Sequence, residues 1–563
     1  MSIEASPSSG GEAALAVFPP SREDRWADFK ARAAEIDWVP WAIVGLAAIL
    51  RIIFLGMKPP HFDEGINGWF VDQMVKNGFY RYDPTNYHGP LHFYVLFVME
   101  TIFGRNIYAL RMPVVALSIL CVWLMLKFEP FVGKNISRLA AFAMAISPGF
   151  VFYGRYSIHE IWLQLFTMLF ILGLIGLWRR GTPNYLWCFG MGLTGMILTK
   201  ETYIIHVGCA VTALFVAWIT HLINPVPNVR PVKQTWTYID LLVIVGVGAF
   251  AIIFFYSGTF FNWSGLKGLY QTFQTWFKTG SNGNGHEKPW HYWLGLIFRY
   301  EQPILFALPF SIYAGLFIKN ITIRFLAIFG MGSLLAYSIV NYKTPWCIIA
   351  FGWPLLFVFG SVLLIVPKKY RLSSTAAGTA PASASPAKEA DAKAEASMAK
   401  MMVWSYYGSI GILLCLSLAL SIRLNYFRCS TFEEPYVYVQ TYNDIYKLTN
   451  PLLTLAKQDP TNYQLTGHLI RTSTYPFPWI LGDFTRVGYY EAGNMPGNVD
   501  GDFLIVQQDK IAEVEGKMHG SYFTDLLTIR PYQDTSKLYL NTKVFQSFFP
   551  GRVADFVGKA ATP

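Results

Sequence analysis

Two adjacent carboxylates, Asp63 and Glu64, stand a few residues beyond the first long apolar run, in the stretch Arg51-Ile-Ile-Phe-Leu-Gly-Met-Lys-Pro-Pro-His-Phe-Asp-Glu-Gly65. A carboxylate just outside a membrane helix stays hydrated and ionised. From there it can take a proton from the hydroxyl of a membrane-borne substrate. The same pair can also complement the N-terminus of a helix starting near Ile66. Neither reading excludes the other.

Four further stretches bring polar groups to membrane edges. His88-Gly89-Pro90-Leu91 is a tight entry into a helix, and its histidine can contact a carboxylate or a phosphate. Arg155-Tyr-Ser-Ile-His-Glu160 and Thr199-Lys200-Glu201 join apolar runs with scarcely any loop. In Asn341-Tyr-Lys-Thr-Pro-Trp346, Lys343 lies between two aromatics suited to the membrane interface. Of these stretches, the last offers Lys343 as a candidate phosphate ligand, since guanidinium forks and ammonium groups are the natural partners of phosphate. Each also has a plainer use as an interface anchor or a salt-bridged turn. Charges near a bilayer are costly, by about 2.5–3.5 kcal/mol at a helix centre on insertion scales, so their gathering suggests a site.

The elements that position these groups follow from composition. Of 563 residues, 53% are hydrophobic and 14% charged, against about 25% charged in a soluble domain. Apolar runs near membrane-spanning length recur at 39–57, 107–127, 135–152, 158–178, 184–199, 203–222, 238–257, 295–318, 321–341, 345–367 and 401–424. The segment 89–104 is apolar but short and carries Pro90, His92 and Glu100. If it lies along the outer interface, nearly every Lys/Arg-rich loop faces the cytoplasm, as the positive-inside bias requires. The expectation is about eleven spans, with the N-terminus inside and the C-terminus outside a plasma membrane. The net charge of +10 then belongs to cytoplasmic loops, and no basic segment suggests nucleic-acid binding.

The domain plan is a cytoplasmic segment 1–38, a membrane domain 39–371, a disordered linker 372–400, a last span 401–424 and an extracytoplasmic α/β domain 425–563. Residues 1–38 lack the basic-then-apolar order of a cleaved signal peptide, so the first span reads as a retained anchor. The linker is rich in Ala, Ser, Pro and Lys and has few large apolar side chains. The last region contains runs such as Tyr436-Val-Tyr-Val-Gln440 and Phe503-Leu-Ile-Val-Gln507 that suit a sheet. The glycine-rich stretch 280–285 reads as a hinge or lid. The six cysteines form no CxxC pair and no zinc spacing.

Taken in order, these stretches resemble the GT-C superfamily of integral-membrane glycosyltransferases. The resemblance is to the branch of the dolichyl-phosphate-mannose-protein mannosyltransferases and the lipid A aminoarabinose transferase. Arg51 to Phe70 looks like the family's Arg-bearing first helix leading into its Phe-Asp-Glu motif. His88 to Leu91 resembles His-Pro-Pro-Leu with Gly89 for the first proline, and Arg111-Met-Pro113 resembles Arg-Leu-Pro. Ser147 to Glu160 resembles Ser-Pro…Arg…Asp with Glu160 for Asp. Leu198 to Glu201 resembles Leu-Thr-Lys-Gly with Glu201 for Gly. Tyr342-Lys-Thr-Pro-Trp346 and Tyr475-Pro-Phe-Pro-Trp479 look closest to the flippase-activity-associated membrane proteins.

The resemblance implies a polytopic helical GT-C bundle and a polyprenyl-phosphate sugar as donor. The acceptor would be a hydroxyl on a glycan, lipid or protein. It implies Asp63 as catalytic base, Glu64 as a group orienting that base or the acceptor, and Arg51, Arg155, Lys200 and Lys343 as candidates for holding the lipid phosphate. His88, Glu160 and Glu201 are further site candidates. One direct displacement would invert the anomeric carbon. Asp63, Glu64 and Glu160 are oxygen ligands compatible with Mg²⁺ or Mn²⁺. Two other readings are a lipid-linked sugar flippase or its accessory, and a non-catalytic glycan-binding membrane protein. Transport usually leaves internal repeats and midplane charges, and neither is visible.

Overall fold

Within lipid, each backbone N–H and C=O must find its partner inside its own segment, so the apolar runs fold as helices. The computed structural model describes residues 36–559 except 87, 228, 230, 231, 283, 284, 362–385, 492 and 493. The helices are α1 (Trp38–Ile52), α2 (Phe62–Asn77), α3 (Leu91–Phe103), α4 (Ile107–Lys127), α5 (Lys134–Ile146), α6 (His159–Arg179) and α7 (Pro183–Ile197). They continue as α8 (Tyr203–Ile223), α9 (Tyr238–Tyr256), α10 (Ser264–Asn282), α11 (Gln302–Phe317), α12 (Ile321–Ile339), α13 (Pro345–Ser361) and α14 (Pro386–Ile422). Among the described residues, six helical stretches are long and apolar enough to cross a membrane: Ile107–Val132, α6, α8, α9, α12 and Ser397–Phe427. Four shorter apolar helices, α1, α3, α11 and α13, accompany them. On α9, Leu242, Val245 and Phe250 stand outward and exposed, a surface suited to lipid.

Several expected spans differ in detail. The 135–152 run breaks at Ser147, because Pro148 opens a new short helix at its first turn. The 295–318 run breaks at Glu301, just before Gln302-Pro303. α1 stops at Ile52 rather than near 57, and Phe54 takes a positive φ of 53°. Residues 386–400, expected inside a disordered linker, belong to α14. Alanine, lysine and glutamate there are strong helix formers. The remainder of that expected linker up to 385 lies outside the described residues, as does the end of the expected 345–367 span.

The C-terminal region is a six-stranded mixed sheet. Its strands are β1 (Thr466–Ile470), β2 (Arg486–Tyr490), β3 (Phe503–Gln507), β4 (Ser521–Leu527), β5 (Ser536–Asn541) and β6 (Phe556–Val557). Their order is β2-β1-β3-β5-β4-β6, with β1 parallel to β2 and β3 and the other pairings antiparallel. Alternation along β3 serves both faces. Phe503 and Ile505 pack with the helix Tyr446–Gln458, while Leu504 and Val506 join Ile470, Tyr522 and Tyr539. The run Tyr436 to Gln440 has the composition of a strand but is not one. Its backbone oxygens are taken by side chains instead: Tyr153 Oη donates to Tyr436 O (3.2 Å), and His61 Nε2 lies 2.8 Å from Tyr438 O.

This domain packs directly on α2. A Cβ on Gly65 would lie 2.5 Å from Pro476 Cα, and one on Gly68 would overlap the indole of Trp479. The two glycines lie three apart on one helix face and admit the Pro476–Trp479 ridge. Around that contact, Trp479 Nε1 donates to Glu100 Oε1 at 2.9 Å. Arg105 bridges Asp72 (2.6 Å) and Asp483 (3.1 Å) and also donates to Trp479 O.

Candidate active site

Asp63 and Glu64 occupy the first turn of α2, and the two part company there. The N-cap is His61. Its Nδ1 accepts from Asp63 N at 3.1 Å, and Glu64 Oε2 accepts from His61 N at 2.9 Å. Because Nδ1 accepts, the ring proton sits on Nε2, which donates to Tyr438 O. Burial keeps this imidazole below its ordinary pKa and hence neutral. Glu64 is fully buried and gripped by Arg111, Nε to Oε1 at 2.8 Å and Nη2 to Oε2 at 2.7 Å. It also accepts Ser157 N at 2.8 Å. Burial pushes the Glu64 carboxyl up, but Arg111 and the two backbone donors more than offset this, and the net direction is down. Asp63 is left partly exposed, its side chain 31% accessible.

Asp63 opens into a cavity of about 650 Å³. His88, Glu160, Lys200 and Glu201 line the same cavity, so four of the expected residues do converge with it. Lys200 is ion-paired with Glu160, and His88 Nδ1 lies 3.3 Å from Glu201 Oε2. Burial works against the Lys200 charge, but Glu160 and Glu201 hold the amine firmly protonated. Trp276, Tyr337, Tyr342 and Trp346 add apolar wall. Gly280 reaches this wall from the glycine-rich stretch, of which 283 and 284 lie outside the described residues.

The other expected phosphate ligands are elsewhere. Arg51 is buried and donates to Ser118 Oγ (2.7 Å) and to Ala47, Met144, Ala145 and Phe150 carbonyls. Arg155 donates to the Leu50, Arg51, Ile53 and Phe54 carbonyls. Both therefore satisfy carbonyls left free at helix ends. Lys343 points away from the cavity that its neighbours Tyr342 and Thr344 line, and its Nζ donates to Lys288 O (3.1 Å) and Val340 O. Glu64 likewise lies outside the cavity lining.

One cavity cation was not foreseen. Arg530, in the loop between β4 and β5, lines the cavity together with Pro531, Tyr532 and Gln533. Its guanidinium lies 3.7 Å from the centroid of the Phe62 ring, next to Asp63 in sequence. Nothing local distinguishes Arg530; only the docking of the soluble domain brings it here. His286 also reaches the cavity, its Nδ1 2.6 Å from Tyr438 Oη.

The oxygen ligands considered for Mg²⁺ or Mn²⁺ are not gathered, because Arg111 closes Glu64 and Lys200 closes Glu160. Among the described residues, no three His, Cys, Asp or Glu side chains come together as an ion site.

The family model described as dolichyl-phosphate-mannose-protein mannosyltransferase matches residues 87–254. No curated protein matches the chain. Among solved structures, ArnT from Cupriavidus metallidurans bound to undecaprenyl phosphate is similar at TM-score 0.57 and 13% identity, covering 88% of this chain and 97% of that one. ArnT from the same organism in the apo state is similar at TM-score 0.54 and 12% identity, covering 92% and 98%. The chain has the GT-C fold.

Three positions where this chain departs from the GT-C motifs prove to be neighbours. Gly89 N donates to Thr199 O at 2.9 Å, and a Cβ at Gly89 would overlap Leu198 O. Proline could neither donate there nor fit. This contact sets His88 beside Lys200 as a backbone bridge. Glu201, in place of glycine, then holds His88, and Glu160, in place of aspartate, reaches Lys200. Glu160 and Glu201 thus line the cavity, and Gly89 seats their partners His88 and Lys200 side by side.

Proposed function

We propose that this protein transfers a sugar from a polyprenyl-phosphate donor to an acceptor hydroxyl, inverting the anomeric carbon, with Asp63 as general base. The observation that carries the reading is the divergence of two neighbouring carboxylates: Glu64 is locked to Arg111, while Asp63 alone opens into the cavity. The similarity to an ArnT structure holding undecaprenyl phosphate supports a polyprenyl-linked donor.

Asp63 takes the proton of the acceptor hydroxyl as its oxygen attacks the anomeric carbon. The bond from that carbon to the phosphate oxygen breaks, and the lipid phosphate leaves with the electron pair. Lys200 faces the leaving group, where its fixed positive charge stabilises the developing anion, and His88 lies beside it. Glu160 and Glu201 aim those two groups. Glu64 acts by positioning: with Arg111 it fixes the turn that presents Asp63.

The test is transfer from polyprenyl-phosphate sugars in reconstituted membranes. Asp63→Asn is expected to lower turnover by about 10²–10⁴-fold while the protein still folds; unchanged turnover would sink the base assignment. The reading also places the cavity and the C-terminal domain outside the plasma membrane. A Lys457→Cys thiol should then react with an impermeant reagent added outside, while a cysteine placed in 372–400 resists it. The reverse labelling would overturn the orientation.

A further inference from the structure

Arg530 is built into the cavity by the soluble domain. The base of its loop is pinned on both sides. Buried Arg471 donates to Ser536 Oγ and to Gln533 Oε1, each at 2.9 Å, and Gln507 Nε2 donates to Asp534 Oδ2 at 3.0 Å. Tyr442 N donates to Ile529 O at 2.7 Å, tying the loop to the strap that carries Tyr438. Within this frame the Arg530 guanidinium stacks on Phe62, and one Nη donates to Ser473 Oγ at 3.1 Å. Stacking fixes the plane of the fork and leaves its other N–H groups for a ligand.

The charges around it are unequal. Lys200, the other strong cation lining the cavity, is already closed by Glu160. Arg530 has no such carboxylate bonded to it among the described residues; burial draws its pKa down, and the nearby charge of Asp63 opposes this without cancelling it. A half-buried guanidinium with open donors suits an anion, held in bidentate fashion.

The reaction geometry says which substrate carries that anion. In an inverting displacement the base and the leaving phosphate lie on opposite faces of the sugar. Arg530 rests on the residue immediately before the base, so it sits on the acceptor's side. We infer that Arg530 binds an anionic group, a carboxylate or phosphate, borne by the acceptor beside the hydroxyl that Asp63 deprotonates. The inference rests on the sugar-transfer reading for its assignment to the acceptor. The soluble domain thereby becomes a working part of the active site, supplying its specificity for charge.

Binding to the purified full-length protein tests this without turnover. Calorimetry would compare methyl β-glucoside with methyl β-glucuronide and with methyl β-glucoside 6-phosphate. The wild type is expected to bind the two anionic sugars about tenfold more tightly than the neutral one, the value of one charge-assisted pair. Arg530→Gln removes that preference and leaves the neutral sugar unchanged; Arg530→Lys keeps part of it. Undecaprenyl phosphate affinity stays the same in all three proteins. Equal binding of charged and neutral sugars by the wild type overturns the inference. So does an Arg530→Gln variant that lowers thermal stability but keeps the preference, or one that loses undecaprenyl phosphate instead. Failure of the sugar-transfer reading is scored separately, by turnover of Asp63→Asn.

Discussion

Beneath the cavity, Arg51, Arg111 and Arg155 direct their guanidinium groups at backbone carbonyls around the end of α1, and Glu64 is closed by Arg111. Within the cavity, by contrast, Asp63 and Arg530 face open volume. The two regions use the same residue types for opposite ends. In the lower one, charge is consumed by carbonyls that helix ends leave without partners, so it stiffens the loop 53–61. In the upper one, charge stays available. A charged residue near a membrane edge is thus a strut or a ligand according to whether an unpaired carbonyl lies within its reach.

The sharpest way to break the comparison is to exchange the fates of the two carboxylates. Asp63→Asn should lower turnover by about 10²–10⁴-fold, the range of general base catalysis, with an unchanged melting temperature. Glu64→Ala should do the reverse in kind, destabilising by about 3–5 kcal/mol because it strands a buried guanidinium. Thermal unfolding alongside transfer assays separates the two. If both variants lost only turnover, the strut assignment of Glu64 would fail.

Gly89→Ala should come next, at about 2 kcal/mol from overpacking against Leu198 O, with a raised KM for the lipid donor as His88 and Lys200 move apart. Kinetics with donor varied at fixed acceptor would show it. A KM unmoved by this change would mean that the bridge only supports the fold.

The smallest effect is expected at Lys58, which sits in the lower region but lacks its logic. Its Nζ is buried without a hydrogen-bond partner among the described residues, 4.0 Å from the centroid of Phe152 and 4.5 Å from that of Tyr156. Burial, aided by repulsion from Arg111, pushes its pKa from 10.5 down to about 7. Between those values the unfolded chain binds the proton and the folded chain does not, so stability rises with pH across that window. Lys58→Met should flatten that rise and add about 1 kcal/mol near pH 7, read from melting temperature against pH. A wild-type melting temperature that falls over the same window would contradict it.

Much of the fold was legible. Apolar runs of spanning length located the helices, and Phe503 to Gln507 announced a sheet. The breaks at Ser147 and Glu301 depend on Pro148 and Pro303, which the length of each run obscured. Asp63, His88, Glu160, Lys200 and Glu201 stood out because each lies in a turn at the end of an apolar run, and the structure brings all five to one cavity. Arg51 and Arg155 misled because their partners are backbone carbonyls, which carry no sequence signature. Arg530 and the Tyr436–Tyr438 strap were missed for another reason. Arg530 reaches the cavity, and Tyr438 reaches His61 and His286, only through domain docking, and no local pattern encodes that.

The Gly65 and Gly68 contact has a consequence for how such a protein can be taken apart. The chain suggests a convenient seam near residue 425, where a membrane part ends and a soluble part begins. Mechanically there is no seam, because the helix that presents Asp63 is notched to receive the ridge around Pro476 and Trp479. A chimera that exchanges the soluble domain alone would set a foreign ridge against that notch and tilt the base. Modular exchange among relatives would have to move the notch and the ridge together, as one inherited part.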